Sequence, residues 1–442
     1  MASRVRRATF RATELQLLIA PSLLMIVGLL TIFLAGRGDV DWAWSDIWVS
    51  LAYVGTMFGI SLSFGLVGFR GDQVILPVAL TLAGFGLLMI QRLQADLTAL
   101  DEGYAGLAQR QLLYLAIGLG LMWVTVVFFR HLHLLQRFKY TALMLSLGMM
   151  VATVLFGREI YGAKLYISIG PLQAQPSEIA KVGLVLFLAA YLEDKRELMG
   201  SSYRVGRLDL PPLPYLFPMV LMWAACLMIL VVQNDLGTAL LFFGIFVSML
   251  YVASGRTVYV SVALISFMGA SWLAYRLFGR IGIRVQNWLD PWQDPLDTGL
   301  QQVQSDYAMA AGGVLGTGLG LGQPWRIPIV ETDYVFSLIG EELGIIGTLG
   351  VLALVFTLVL RGYLIALTRA DGYARFVAVG LSTILGFQTL IIVGGVVRLL
   401  PLTGITLPFI SYGGSSLLTN FIIVGLLLHI SGLPARKLDG AS

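Results

Sequence analysis

Charged side chains in a chain this apolar ask first for a chemical reason, because at the centre of a membrane-spanning helix each costs about 2.5 to 3.5 kcal/mol even on the lenient scale. Three places carry them. In Gln175-Pro176-Ser177-Glu178-Ile179-Ala180-Lys181, Pro176 suits the opening turn of a helix. Glu178 and Lys181, three residues apart, then pair on one face. In Gln233-Asn234-Asp235-Leu236-Gly237-Thr238, Asp235 is poised as a helix N-cap, a structural role weighed evenly against a functional one. In Glu331-Thr332-Asp333 and the residues after it, Asp333, Ser337 and Glu341 share one helix face. A lone aspartate at a helix start is most simply a cap. Glu341 and Glu342 lie about 12 to 13 Å further along the same helix, so capping does not reach them. They face a polar cavity or pair with cations.

Two further places break helix. Pro401 to Ser416, PLTGITLPFISYGGSS, sets two prolines and several glycines beside the hydroxyls of Ser411, Ser415 and Ser416. Such backbone near membrane depth is tolerated only where protein or water covers it. Ala311 to Gly322, AGGVLGTGLGLG, looks like a nucleotide-binding glycine loop, but no strand is expected before it and no G-K-[ST] is present. Metal and nucleophile chemistry fare no better. His131 and His133 lie in a basic segment and His429 near the C-terminus, none with a cysteine or carboxylate at ligand spacing, so no zinc site is expected. No G-x-S-x-G elbow occurs either.

The elements that must position these groups are membrane helices. Of the 442 residues 57% are hydrophobic and only 12% charged, where a soluble domain carries roughly 25% charged residues. A spanning helix needs roughly 20 apolar residues, and the chain offers about twelve such stretches: 15–35, 47–68, 74–90, 111–129, 139–156, 178–193, 214–233, 236–253, 257–278, 334–360, 374–397 and 413–430. The first follows Arg4, Arg6, Arg7 and Arg11 and reads as a retained span, since it is long and lacks an A-x-A cleavage site. The expected fold is therefore all-α, a polytopic transmembrane helical bundle forming one integral membrane domain over 1–442.

Charge placement orients it. With both termini cytoplasmic, the inner segments hold the larger share of the 29 Lys and Arg, including Arg130, Arg137, Lys139, Lys195, Arg196, Arg204, Arg207, Arg361, Arg369 and Arg375. The long segment 279–333 then falls outside, and Trp288, Trp292, Tyr307 and Trp325 mark it as ordered. Cys226, the one cysteine, excludes a disulfide framework and reads as a buried thiol. A net charge of +4 with no basic stripe argues against nucleic acid as a partner.

Five segments, in order, resemble the shape, elongation, division and sporulation family of bacterial cell-wall proteins, whose members include FtsW, RodA and SpoVE. They are GAKLYISIGPLQAQPSEIAK at 162–181, NDLGTA at 234–239, DPWQDP at 290–295, ETDYVFSLIGEELG at 331–344 and the PLTGITLPFISYGGSS segment. The resemblance runs from about Gly162 to the C-terminus. It implies a glycosyltransferase that polymerises lipid II into glycan strands beside a class B penicillin-binding protein. The family's essential aspartate falls on Asp333, and its sensitive Glu and Lys fall on Glu178 and Lys181. Departures are present: Leu165 and Tyr166 stand where Arg and Trp are usual, leaving Lys164 as the cation there. Asn234 replaces a proline, Glu331 the histidine that commonly precedes the T-D pair, Ile392 an asparagine and Arg398 a glycine. The family core has ten spans, so residues 1–70 are expected to add two.

On this resemblance Asp333 is the expected base for the acceptor's GlcNAc 4-hydroxyl, with inversion at the donor sugar. Lys164, Lys181, Arg280, Arg284, Arg326 and Arg398 are the cations available to the diphosphate. Glu178, Asp235, Glu341, Glu342, Ser411, Ser415 and Ser416 are expected to support the site. No dedicated metal site is expected, although a divalent cation such as Mg2+ could share the diphosphate with the substrate's own oxygens. A lipid II flippase and a recruiting scaffold are the readings left open beside the enzyme.

Overall fold

The computed structural model describes residues 11–34, 47–128, 132–160, 163–169, 172–196, 203–205, 208–210 and 213–435. Arg4, Arg6, Arg7, Arg130, His131, Gly162 and Arg207 lie outside them. The chain is a multi-pass α-helical membrane protein. Among the described residues ten helices are long and apolar enough to cross a membrane, since a helix satisfies backbone polar groups internally where hydrocarbon offers no partner. They are α1 (Ala12–Leu34), α2 (Ile47–Leu66), α3 (Ile75–Leu100), α4 (Leu107–Phe128), α6 (Lys139–Phe156), α9 (Leu236–Ser254), α10 (Thr257–Leu277), α13 (Val335–Thr368), α14 (Gly372–Val396) and α15 (Gly414–Ser431).

The spans expected at 178–193 and 214–233 are helices as well, α7 (Pro176–Asp194) and α8 (Leu213–Val232). Glu178, Lys181, Glu193 and Asp194 interrupt α7, and α8 is an apolar helix of 20 residues, LPYLFPMVLMWAACLMILVV. The short α5 (Leu132–Arg137) precedes α6. Within the segment 279–333 two more helices form, α11 (Gly279–Leu289) and α12 (Leu300–Gly312), so it is built structure rather than open loop.

The chain gathers into two compact units. One comprises 1–129, 286–361 and 388–433, the other 130–285, 362–387 and 434–442. In the first, α3 is buried almost throughout, with α1 and α2 laid against it: Tyr53 donates to the Leu80 carbonyl at 2.8 Å and Ser50 to Gln91 at 2.7 Å. Helix α15 lies parallel to α4, and small residues let them close. A methyl group on Gly414 would meet the Tyr114 ring at 2.8 Å, one on Gly118 the Phe421 ring at 2.6 Å, and one on Gly425 the backbone of Met122 at 3.1 Å.

One end of this unit is an ionic clasp. Arg11, 3% exposed, pairs with Glu14 and donates to the Phe69 and Asp72 carbonyls, while Ser61 donates to Glu14 at 2.6 Å. Asp72 pairs with Arg361 at 3.0 Å, and its amide donates to Ser431 at 2.8 Å. Helices α13 and α15 therefore end here and begin at the opposite end, where Asp333 stands.

The second unit packs α6 against α7 and α7 against α9 and the start of α14, with Gly380 between Val185 and Met249 and Gly244 beneath Phe387. An antiparallel meander of β1 (Arg158–Ile160), β2 (Ala163–Ile169) and β3 (Leu172–Ala174) pairs Ile167 with Ala174 and delivers the chain to Pro176. A second pair, β4 (Tyr203–Val205) and β5 (Leu208–Leu210), closes a hairpin. Helix α10 is exposed almost throughout, with Val262, Ile265, Met268 and Trp272 on its surface, a face suited to lipid.

Candidate active site

Asp333 does not lie on α13 but in the turn before it, where the amides of Thr332 and Asp333 both donate to the Ile329 carbonyl at 3.3 Å. The Pro401–Ser416 segment folds over that turn as a strap. The Tyr412 amide donates to the Glu331 carbonyl at 2.8 Å. Ser411 donates its hydroxyl to the Thr332 carbonyl at 2.6 Å and accepts from the Leu407 amide at 2.9 Å. These bonds satisfy irregular backbone internally and fix the register of strap against turn. Gly404, at φ 73°, lies against the half-buried Asp333: a methyl group there would sit 3.4 Å from Oδ2. The far end of the strap is tied by Ser416, which accepts from Thr406 at 2.6 Å and Asn420 at 3.4 Å, and by Gln388, which donates to the Thr406 carbonyl at 2.8 Å. Ser415 beside it is half-buried.

A second set of bonds holds α13 from below. Ser337 shares a hydrogen bond of 2.7 Å with Ser305 of α12, and Tyr334 reaches Gln302 at 3.5 Å. Gln302 donates to Asp306 at 3.0 Å and to the Val396 carbonyl at 3.1 Å. Arg398, at φ 59°, pairs with Asp306 at 3.4 Å and donates to the Trp288 and Leu289 carbonyls, while its own carbonyl accepts from the Trp288 indole at 2.9 Å.

Glu341 and Glu342 serve the fold. Helix α13 breaks at Gly344 (φ 65°, ψ −163°), and the glycine-rich run after α12 fills the break. The amides of Thr317 and Gly318 donate to the Glu341 and Glu342 carbonyls at 2.9 and 3.1 Å, and the Gly313 and Val314 carbonyls accept from Ile345 and Ile346 at 3.0 and 3.3 Å. The backbone groups orphaned by the break are thus answered by protein. Glu342 itself is fully buried; it accepts from the Gly320 amide at 2.9 Å and pairs with Arg92 at 3.0 Å. Arg92 also pairs with Asp96 and lies over the Trp325 ring. Glu341 accepts from the Gln323 amide at 2.7 Å. Arg92 was missed in the sequence because the third span was ended at residue 90, whereas α3 runs to Leu100; the four-residue spacing to Asp96 was the available signal.

Charge around the turn that carries Asp333 is uneven. Burial raises the Glu331 carboxyl above the usual range, a hydrogen bond from its own backbone holds it down in part, and the charge of Asp333 raises it again. Burial raises the Tyr334 hydroxyl, with Asp333 and Asp306 acting the same way. Tyr412 is raised by burial, lowered by Arg110 of α4, and raised again by Tyr114 and Glu331. Arg110 and Tyr412 were not among the sequence candidates.

In the second unit the remaining candidates meet. Lys181, 1% exposed, pairs with Glu178 at 2.5 Å. Asp235 caps α9 by accepting from the Thr238 amide at 3.0 Å, after Asn234 turns the chain at φ 60°. Its other oxygen is buried without a hydrogen-bond partner among the described residues. Burial raises the Asp235 carboxyl, the Thr238 bonds lower it, Glu178 raises it and Arg284 lowers it, so these four residues form one electrostatic group. Lys164 on β2 and Arg280 are exposed, as is Arg326 of the first unit. Among the described residues no group of three or more His, Cys, Asp or Glu is arranged to hold a metal ion.

A family model described as a cell cycle protein, for FtsW, RodA and SpoVE, matches residues 72–434. RodA of Mycobacterium tuberculosis, described as a peptidoglycan glycosyltransferase, is 35% identical over 436 residues, covering 97% of this chain and 92% of that protein. A chain from the structure described as "Structural coordination of polymerization and crosslinking by a peptidoglycan synthase complex" matches at a TM-score of 0.66 and 29% identity, over 82% of this chain and 98% of that one. The crystal structure of Thermus thermophilus Rod shape determining protein RodA matches at a TM-score of 0.59 and 26% identity, over 82% of this chain and 97% of that one. The family model begins after α2, whereas the mycobacterial match takes in α1 and α2 as well.

Proposed function

The chain belongs to the FtsW, RodA and SpoVE family of cell cycle proteins, and from that premise we propose that it is a peptidoglycan glycosyltransferase polymerising lipid II, with Asp333 as its general base. The observation that carries the assignment to Asp333 is its setting: a half-buried carboxylate, held on a strapped turn, with a glycine rather than a side chain against its oxygen. Asp333 takes the proton of the acceptor's GlcNAc 4-hydroxyl as that oxygen bonds to the donor's anomeric carbon. The bond from that carbon to the lipid diphosphate breaks, and the configuration inverts. No nucleotide is needed, because the diphosphate linkage is itself the activated group.

The departing diphosphate needs fixed positive charge in a low-dielectric site. Arg326, in the same unit as Asp333, stands on an exposed turn seven residues before it and is the first choice for that charge. A magnesium ion, if recruited, would be held chiefly by the substrate's own phosphates. Charge placement supports the outer face of the cytoplasmic membrane for this end of the molecule. The likeness to a chain of a peptidoglycan synthase complex that coordinates polymerization and crosslinking supports a class B penicillin-binding protein as partner.

The test is Asp333→Ala, assayed as purified full-length protein with lipid II. Glycan chains are expected to disappear while the helical fold is retained. Polymer formed at the normal rate would overturn the assignment, and loss of lipid II translocation alone would favour a flippase.

A further inference from the structure

Glu331 is the acid that the mechanism leaves unused. It shares the turn with Asp333, two residues away, and its backbone carbonyl accepts from the Tyr412 amide at 2.8 Å, which fixes the turn beneath the strap. It is only 6% exposed, and Oε2 is buried with no hydrogen-bond partner among the described residues. A carboxylate so placed, with a second carboxylate as its neighbour, cannot ionise cheaply. The charged and titratable groups that face it are Asp333 on its own turn and Tyr412 of the strap, which in turn faces Arg110 and Tyr114 of α4.

We propose that Glu331 is a positioning residue that holds a proton beside Asp333, so that the turn presents one negative charge, on Asp333, to the diphosphate donor. The inference rests on Asp333 being the base. Two carboxyls this close titrate as a pair. The first proton lost leaves Asp333 anionic and competent. The second, from Glu331, comes off at higher pH, in keeping with the rise that burial and Asp333 impose on it. It then adds a second charge where an anionic donor must bind. Neutral Glu331 therefore favours donor binding without taking the substrate's proton.

The test compares pH profiles of kcat and of KM for lipid II in full-length wild type, Glu331→Gln and Glu331→Asp. Wild type is expected to show an acid limb in kcat, from Asp333, and on the alkaline side a rise in KM of about tenfold as Glu331 ionises. Glu331→Gln should keep the acid limb and lose the KM rise. Glu331→Asp should restore a rise, moved along the pH axis. If Glu331→Gln keeps the wild-type alkaline rise, or if both variants merely lower kcat at every pH, the inference falls and the residue is structural. If instead Asp333→Ala polymerises normally, the failure lies with the base assignment, whatever the Glu331 profiles show.

Discussion

Two carboxylate settings at the start of α13 differ in what surrounds them. Glu342 is fully buried and completely answered, by the Arg92 guanidinium and the Gly320 amide. Asp333, nine residues earlier, is half-buried and has a glycine at its oxygen. A charge already paired in low dielectric is held by its partner and has little left for a substrate. A half-buried charge held on a strapped turn can take a proton. Sequence spacing put Asp333, Ser337 and Glu341 on one face, yet chemistry divides them into an open end and a clasp.

Removing the open carboxylate has the largest expected effect on rate. General-base catalysis contributes about 10²- to 10⁴-fold, so Asp333→Ala should lower the polymerisation rate by about that factor. The helical fold should be retained, because the Tyr412–Glu331, Ser411–Thr332 and Ser305–Ser337 hydrogen bonds that hold the strap and α13 are made by other groups. The contrast is Arg92→Ala, which leaves Glu342 buried without its cation. It should destabilise the protein by about 3 to 5 kcal/mol, seen as a large fall in thermal stability in detergent. Activity in the folded fraction should persist. A double variant, Arg92→Leu with Glu342→Leu, should lose less than the sum of the single changes, since the two groups share one interaction.

These two settings were not equally legible. Glu178 with Lys181, Pro176 at the helix start and the Asp235 cap were readable because helix geometry places partners three or four residues apart. Asp333 was marked by its motif rather than by any local pattern. The Arg92–Glu342 pair joins residues 250 apart, and no local spacing encodes it. The glycine run read only as a rejected nucleotide loop, because its role depends on a helix break at Gly344 that an apolar, glycine-containing run does not announce. The strap was recognisable as broken helix, but its bonds to Glu331 and Thr332 are long-range backbone contacts and leave no trace in residue type. The spans expected at 178–193 and 214–233 are helices, the first of them interrupted by four charged residues.

The clasp can be sharpened with a smaller change. Gly316 sits at φ 82°, and a methyl group there would collide with the Glu342 carbonyl. Gly316→Ala should therefore strain the loop by about 1 to 3 kcal/mol, lowering thermal stability by less than Arg92→Ala does. If Gly316→Ala leaves stability unchanged, the close packing of loop on broken helix is not what holds Glu342 in place.

The smallest expected effect is at Asp235, whose setting lies between the other two: one oxygen caps α9 and the other is buried without a hydrogen-bond partner among the described residues. Loss of a cap costs about 0.5 to 2 kcal/mol, so Asp235→Ala should lower stability by about 1 kcal/mol. The pH dependence separates cap from charge. Burial raises this carboxyl above its usual range, so the folded state binds the proton more tightly than the unfolded chain does. The stability that binding supplies is fully present below the ordinary carboxylate range and is lost as pH rises through the raised value. Asp235→Asn keeps a side-chain oxygen to accept from Thr238 and cannot ionise. Thermal melts of wild type should fall across that window while those of Asp235→Asn stay flatter; parallel curves would mean that Glu178 and Arg284 balance the charge, and that Asp235 resembles the closed Glu342 setting rather than the open one at Asp333.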